Sequence, residues 1–194
     1  MAAQTTQTHP ALPKGVFRWG EAGCAAAASA PSFPFGLGAR GVHEVCEASY
    51  GDRAAALGFA LAAAAQQDEP RRGAVLWVAQ RRYVHDAGRL YEAGLGALRG
   101  RAGPVLHVAP TRLADVLWTV EEALTSDAVG LVIAEAEDAD FTATRRLKLA
   151  ADRRGGAALL VLPHARQGAS AACARWRVAA RPSAPNPYDP AALG

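Results

Sequence analysis

Short continuous apolar runs recur along the chain: GVHEVC, AVLWVA, PVLHVA, GLVIAE, AALLVLP and CARWRVAA, with mostly helical spacing between them. Several of the central runs lack the in-out alternation of a half-exposed strand, so they predict parallel strands covered on both faces. The intervals predict helices. In TRLADVLWTVEEALTS, Leu113, Val116, Leu117, Val120 and Leu124 recur at i, i+3, i+4, i+7 and i+11 and make one apolar stripe. Trp118 falls off that stripe. Packing against a neighbouring helix is the commoner role for such a residue, and a partner surface is the alternative. In DADFTATRRLKLAADRR, Asp138 and Asp140 mark the helix start, Arg153 and Arg154 its end, and both signs suit the macrodipole. There Ala143, Leu147, Ala150 and Ala151 are expected to face inward and Arg145, Arg146 and Arg153 outward. No internal repeat occurs. The rhythm predicts an α/β fold of three layers, a mainly parallel central sheet flanked by helices.

The ends are different. Residues 1–38 and 182–194 mix Pro, Ala, Gly and small polar residues without a period and are expected to be flexible, leaving one domain over 39–181. A hydrophobic content of 51% describes a globular chain, although much of it is alanine, so the core is expected to rest on a few large side chains. The formal charge of +3 is too mild to imply nucleic-acid binding by itself. Cys24, Cys46 and Cys173 are odd in number, far apart and without CxxC spacing, which predicts neither a disulfide framework nor a zinc site. With no signal-like start and no 18-residue apolar span, a cytoplasmic location is expected.

Two glycine patterns suggest nucleotide chemistry, and both fail on inspection. Gly36 to Gly41 spell GxGxxG, but they precede a strand instead of joining a strand to a helix, so the dinucleotide reading is rejected. The stretch CEASYGDRAA has the right context for a phosphate loop, between strand GVHEVC and an alanine-rich helix. Laid over GxxxxGK[ST], it places Cys46 at the first glycine, Gly51 at the second, Asp52 at the lysine and Arg53 at the hydroxyl residue. A phosphate loop needs free backbone N–H groups, a cation and a magnesium-binding hydroxyl. Asp52 reverses the charge and is expected to cap the following helix itself, while Arg53 cannot replace the hydroxyl. Gln80 ends the second strand, where the water-activating glutamate of such ATPases sits, and an amide is a poor base. Glu135 ends the fourth strand at the position of a magnesium-associated carboxylate. The site is therefore read as a degenerate nucleotide site made of Cys46, Gly51, Asp52, Arg53, Gln80 and Glu135, without metal or cofactor. No other catalytic set is visible. The five histidines show no HExxH spacing, and His43 and Glu44 point to opposite faces of their strand.

From Gly41 to Pro185 the ordered segments GVHEVCEASYGDRAAALGFALAAAA, VLWVAQRR with RLYEAGLGAL, DVLWTVEEAL, DFTATRRLKLAA and ARWRVAARPSAP resemble the alphaproteobacterial ImuA family. The resemblance implies a RecA-like fold with a degenerate phosphate loop, induction by DNA damage, and a non-catalytic accessory role in SOS translesion synthesis. It implies action with the polymerase-like protein ImuB, with an error-prone replicative-type DNA polymerase and with RecA. Relatives are expected to continue beyond the PNPYDP segment into a further RWR-containing strand, whose loss would either remove a partner contact or leave a sheet edge uncovered. Candidate contacts for partners or DNA are Trp118, Arg145, Arg146, Arg153, Arg166, Arg175 and Arg177. Arg166 lies in a loop placed roughly where RecA carries a DNA-contacting loop, but the aromatic platform of a single-strand binder is missing, so any DNA contact is expected to be indirect. Two other readings are a diverged ATPase using Arg53 and Glu135, and a cell-division inhibitor resembling SulA.

Overall fold

The computed structural model describes residues 40–65, 73–89, 91 and 104–181. The expected flexible segments at 1–38 and 182–194 lie outside those residues, as does most of GxGxxG. The elements are β1 (Gly41–Glu47), α1 (Arg53–Ala65), β2 (Ala74–Ala79), α2 (Arg81–Ala87), β3 (Val105–Val108), α3 (Leu113–Thr125), β4 (Val129–Glu135), α4 (Phe141–Arg154), β5 (Ala157–Leu162) and β6 (Ala174–Val178). All six strands pair in parallel, in the order β3-β2-β4-β5-β1-β6. Helices on both faces make this the RecA-like three-layer arrangement that the resemblance implies. No described helix is long and apolar enough to cross a membrane.

Strand parity divides the core in two. Val42 and Cys46 of β1, Leu76 and Val78 of β2, Val132 of β4 and Leu160 of β5 face α3 and α4. Those helices return Val116, Val120, Leu124, Leu147, Ala150 and Ala151. On the other face Val45, Trp77, Ile133, Leu159 and Val161 meet Ala56, Ala60 and Ala63 of α1. The large side chains on that face come from the sheet, and the small ones from the helix. The apolar stripe of α3 faces the sheet as its spacing predicts, with Leu113 and Leu117 half-buried beside the core.

Helix α4 starts and stops by its own chemistry. Asp140 Oδ1 accepts from Ala143 N at 2.7 Å, so Asp140 is the N-cap. Gly155 closes the helix in the left-handed region, φ 64°, and its N–H donates to Ala151 O. Gly156 then passes so close to α3 that an added Cβ would lie 2.7 Å from Leu124 O. Two details depart from expectation. Ala143 is only half-buried, and Thr144 takes the inward place, its hydroxyl donating to Asp140 O at 2.9 Å and accepting from Ala171 N at 3.0 Å. A polar side chain can be buried there because both its lone pair and its proton are used. The other departure is β3, whose apolar run predicts two-sided cover. It is an edge strand with Leu106 and Val108 exposed.

Candidate functional site

Strand β1 leads to β2 by way of α1 on one face of the sheet, whereas β4 leads to β5 by way of α4 on the other. The chain ends of β1, β4 and β2 thus open on a topological switch point, where open α/β sheets place ligands. The loop after β1 lies there. Cys46 is not part of it: β1 runs on through Glu47, and the thiol is buried in the core, where burial pushes its pKa up. Gly51 takes φ 100°, which only glycine adopts without strain, and turns the chain into α1.

Asp52 does not act as the expected side-chain cap. Its carbonyl accepts from Ala56 N, the first helical bond, but its carboxylate bends back into the loop. Oδ2 accepts from Ser49 Oγ at 2.6 Å and Ser49 N at 3.0 Å, and Oδ1 accepts from Ala180 N at 2.9 Å, just beyond β6. The Ser49 hydroxyl, then the Ala180 and Ser49 amides, hold the carboxyl below its ordinary range. Ala48 N donates to Val178 O at 2.9 Å and Asp52 N to Ser49 O at 3.2 Å. The amides of Ala48, Ser49 and Asp52 are therefore all engaged within the protein. An internal carboxylate sits where a phosphate loop would receive an external anion.

One residue on, Arg53 reaches across to Glu135. Its guanidinium forms an ion pair with Glu135 Oε2 and lies 3.6 Å from the centroid of the Tyr83 ring. Glu135 Oε1 accepts from Trp77 Nε1 at 2.7 Å. Both carboxylate oxygens are thus occupied, Oε1 by the Trp77 indole N–H and Oε2 by a guanidinium that stands where a magnesium-binding hydroxyl belongs. Gln80 is equally fixed. Its Nε2 donates to Glu137 Oε1 at 3.0 Å, its Oε1 accepts from Glu137 N at 3.1 Å, and Arg82 pairs with the same Glu137. These bonds hold the Glu137 carboxyl below its usual range, the Gln80 amide first and Arg82 second. Residues fixed in this way do not fit magnesium and a triphosphate: the Ala48, Ser49 and Asp52 amides are taken, the lysine is absent, and the magnesium carboxylate is neutralised by a side chain.

No family model matches the chain. Over 166 residues it is 34% identical to Protein ImuA of Caulobacter vibrioides, in each of two strains, a match covering 79% of this chain and 66% of the relative. The chain belongs to the ImuA family. It spans 66% of the length of the curated ImuA proteins it matches.

The arginines read from sequence as surface contacts divide into two sets in this ImuA-family chain. Arg166 is buried, donating from Nε to Ala139 O at 3.0 Å and from Nη2 to Ala169 O at 2.9 Å, with Asp138 3.2 Å away. Arg177 donates to Arg166 O at 3.0 Å and His164 O at 3.3 Å. Arg175 pairs with Glu44, a carboxylate of 0% exposure in the middle of β1, and also donates to Gly168 O. Ser170 Oγ donates to the second Glu44 oxygen at 2.6 Å. This set binds the β5–β6 connection to the sheet. Arg145 and Arg153, in contrast, are exposed, while Arg146 pairs with Glu121 across the α3–α4 contact. Trp118, for which packing against a neighbouring helix was the commoner expectation, is 58% exposed.

Sequence reading missed Ser49, Trp77, Tyr83, Glu137, Glu44 and Ser170. Only Glu44 carried a signal, a carboxylate inside an apolar run. As expected, His43 faces away from it, stacked 5.7 Å from Trp176 on the α1 side. Cys173 is disulfide-bonded, which departs from the expectation drawn from cysteine spacing.

Proposed function

We propose that this protein is a non-catalytic accessory factor of SOS-induced error-prone DNA synthesis, acting as a docking platform for an ImuB-like polymerase-related protein, RecA and the error-prone replicative-type polymerase. Family membership supports a place in the ImuA/ImuB DNA-damage mutagenesis system. The observation that carries the non-catalytic reading is the double internal occupation of the loop after β1, by the Asp52 carboxylate and by the Arg53–Glu135 pair. Displacing both would cost the protein two sets of bonds before any phosphate contact was made. A diverged ATPase would have to use Arg53 and Glu135, the residues already engaged with each other, and nothing described favours a cell-division inhibitor resembling SulA.

Calorimetry with magnesium-ATP tests the first half of this reading, with no saturable heat expected. Pull-down with ImuB and RecA tests the second, and both are expected to be retained. Saturable nucleotide binding with phosphate release, or failure of both partners to bind, would overturn it.

A further inference from the structure

We infer that the outer face of α4 is a docking strip for an acidic amphipathic helix. This rests on the platform reading above and names the chemistry of one partner segment. Phe141, Arg145, Leu149 and Arg153 follow one another at i, i+4, i+8 and i+12, a slowly turning line along the helix. Apolar and cationic side chains alternate along it. Phe141 is 44% exposed and Leu149 52%, and with Trp118 on α3 they are three of the seven large hydrophobic residues exposed among those described. They crowd onto one layer.

The cations of α4 are sorted by direction. On the flank toward α3, Arg146 pairs with Glu121; near the helix end, Arg154 reaches Asp127. Arg145 and Arg153 form no ion pair or hydrogen bond among the described residues. They are separated by eight residues, about 12 Å along the axis. A matching partner presents two carboxylates at that separation with apolar side chains between them, which is what one face of an amphipathic helix supplies. Beside the strip, between the first turns of α3 and α4, a shallow depression lined by Leu113, Leu117, Thr142, Ala143 and Arg146 offers an apolar side chain a socket. Trp118 belongs to the same outer face, the kind of aromatic that anchors protein contacts.

A nucleic-acid backbone fits this face less well. Its sugar-phosphate chain would leave the exposed Phe141 and Leu149 against a hydrophilic ligand.

The test is selection of helical 16-residue peptides from a displayed library against the whole chain, with a fluorescent oligo-dT strand as the second probe. Enriched peptides are expected to carry two acidic residues seven or eight positions apart with apolar residues between. Their affinity should fall at least tenfold for the double variant Arg145→Glu, Arg153→Glu, and return when the two acids are changed to lysine. Phe141→Ser with Leu149→Ser should weaken binding at an unchanged melting temperature. Peptides without acid enrichment, or peptides indifferent to the charge reversal, would overturn the inference. So would oligo-dT binding that alone depends on Arg145 and Arg153. None of these readouts involves ATP or a named partner, so a failed platform reading and a failed strip are distinguishable.

Discussion

A guanidinium and a carboxylate 82 positions apart in sequence meet at the entrance to α1, and each depends on the other. Glu135 is almost fully buried and Arg53 mostly so; removing one leaves the other charge without compensation. Arg53→Ala is expected to cost about 2–3 kcal/mol, below the range for fully buried pairs because Arg53 keeps some solvent. The double variant Arg53→Met, Glu135→Gln should cost less than the sum of the singles, since no charge is then stranded. Urea denaturation of the four proteins checks the cycle, and an Arg53→Ala loss below about 0.5 kcal/mol would deny the pair this role.

Two titrating groups at this scale predict acid sensitivity in separate windows. His43 is buried, its Nε2 donates to Arg40 O and its Nδ1 lacks a partner, so desolvation, only partly offset by the bond to Arg40, lowers its pKa below 6.5. The unfolded chain then takes up a proton before the folded one. Stability should fall as pH drops below about 6.5 toward the lower folded value, and His43→Leu should flatten that slope. Asp52 has a carboxyl pKa held below 3.8, so its contribution is complete above that value and is lost only as pH falls through the folded one. Asp52→Asn should remove a carbon-13 carboxyl resonance titrating below the ordinary aspartate range. A resonance at the ordinary value would contradict the loop geometry.

At the scale of elements, close approach decides more than propensity. Gly156→Ala would push a methyl into Leu124 O where β5 begins beneath the end of α3, and the backbone there cannot rotate away. A loss of about 1–3 kcal/mol is expected in thermal or urea unfolding. Asp140→Ala, which removes the N-cap of α4, should cost about 1 kcal/mol. The strands and helices were legible because apolar runs and the α3 stripe report burial directly. Strand β3 was misread because PVLHVA has the composition of a covered strand, and composition does not say which strand lies at an edge. The letters of the degenerate site were also legible, as Asp52, Arg53, Gln80 and Glu135 all sit where strand ends meet helix starts. Their bonds were not. An aspartate before a helix is usually a cap, and only the approach of Ala180 after β6 shows that the carboxylate has another use. Arg166 and Arg175 were read as surface charge because sequence gives an arginine's sign without its depth. The partners that bury them are Ala139, Ala169 and Glu44, all distant along the chain except Ala169.

For the whole molecule, the sheet separates two surfaces with different expected consequences. The loop after β1, together with Gln80, opens at the chain ends of the strands, and the Asp52, Glu135 and Gln80 side chains there are bonded within the protein. The outer face of α3 and α4 carries Trp118, Phe141, Leu149, Arg145 and Arg153, whose side chains contribute little to the core. A docking platform therefore predicts a separation of effects in a deletion strain complemented with variants and exposed to ultraviolet light. Asp52→Asn and Gln80→Ala, provided the protein remains folded, should leave induced mutation frequency within about twofold of wild type, because neither is asked to bind or hydrolyse nucleotide. Trp118→Ala with Arg145→Glu should lower it toward the deletion level, at unchanged protein abundance and melting temperature. The reverse pattern, with loss at the loop and tolerance on the helices, would mean that the strand ends still perform chemistry despite their internal bonds. Equal loss from both sets, with stability intact, would mean that the two surfaces are coupled through β4 and α4, the elements that carry Glu135 at one end and Arg145 at the other.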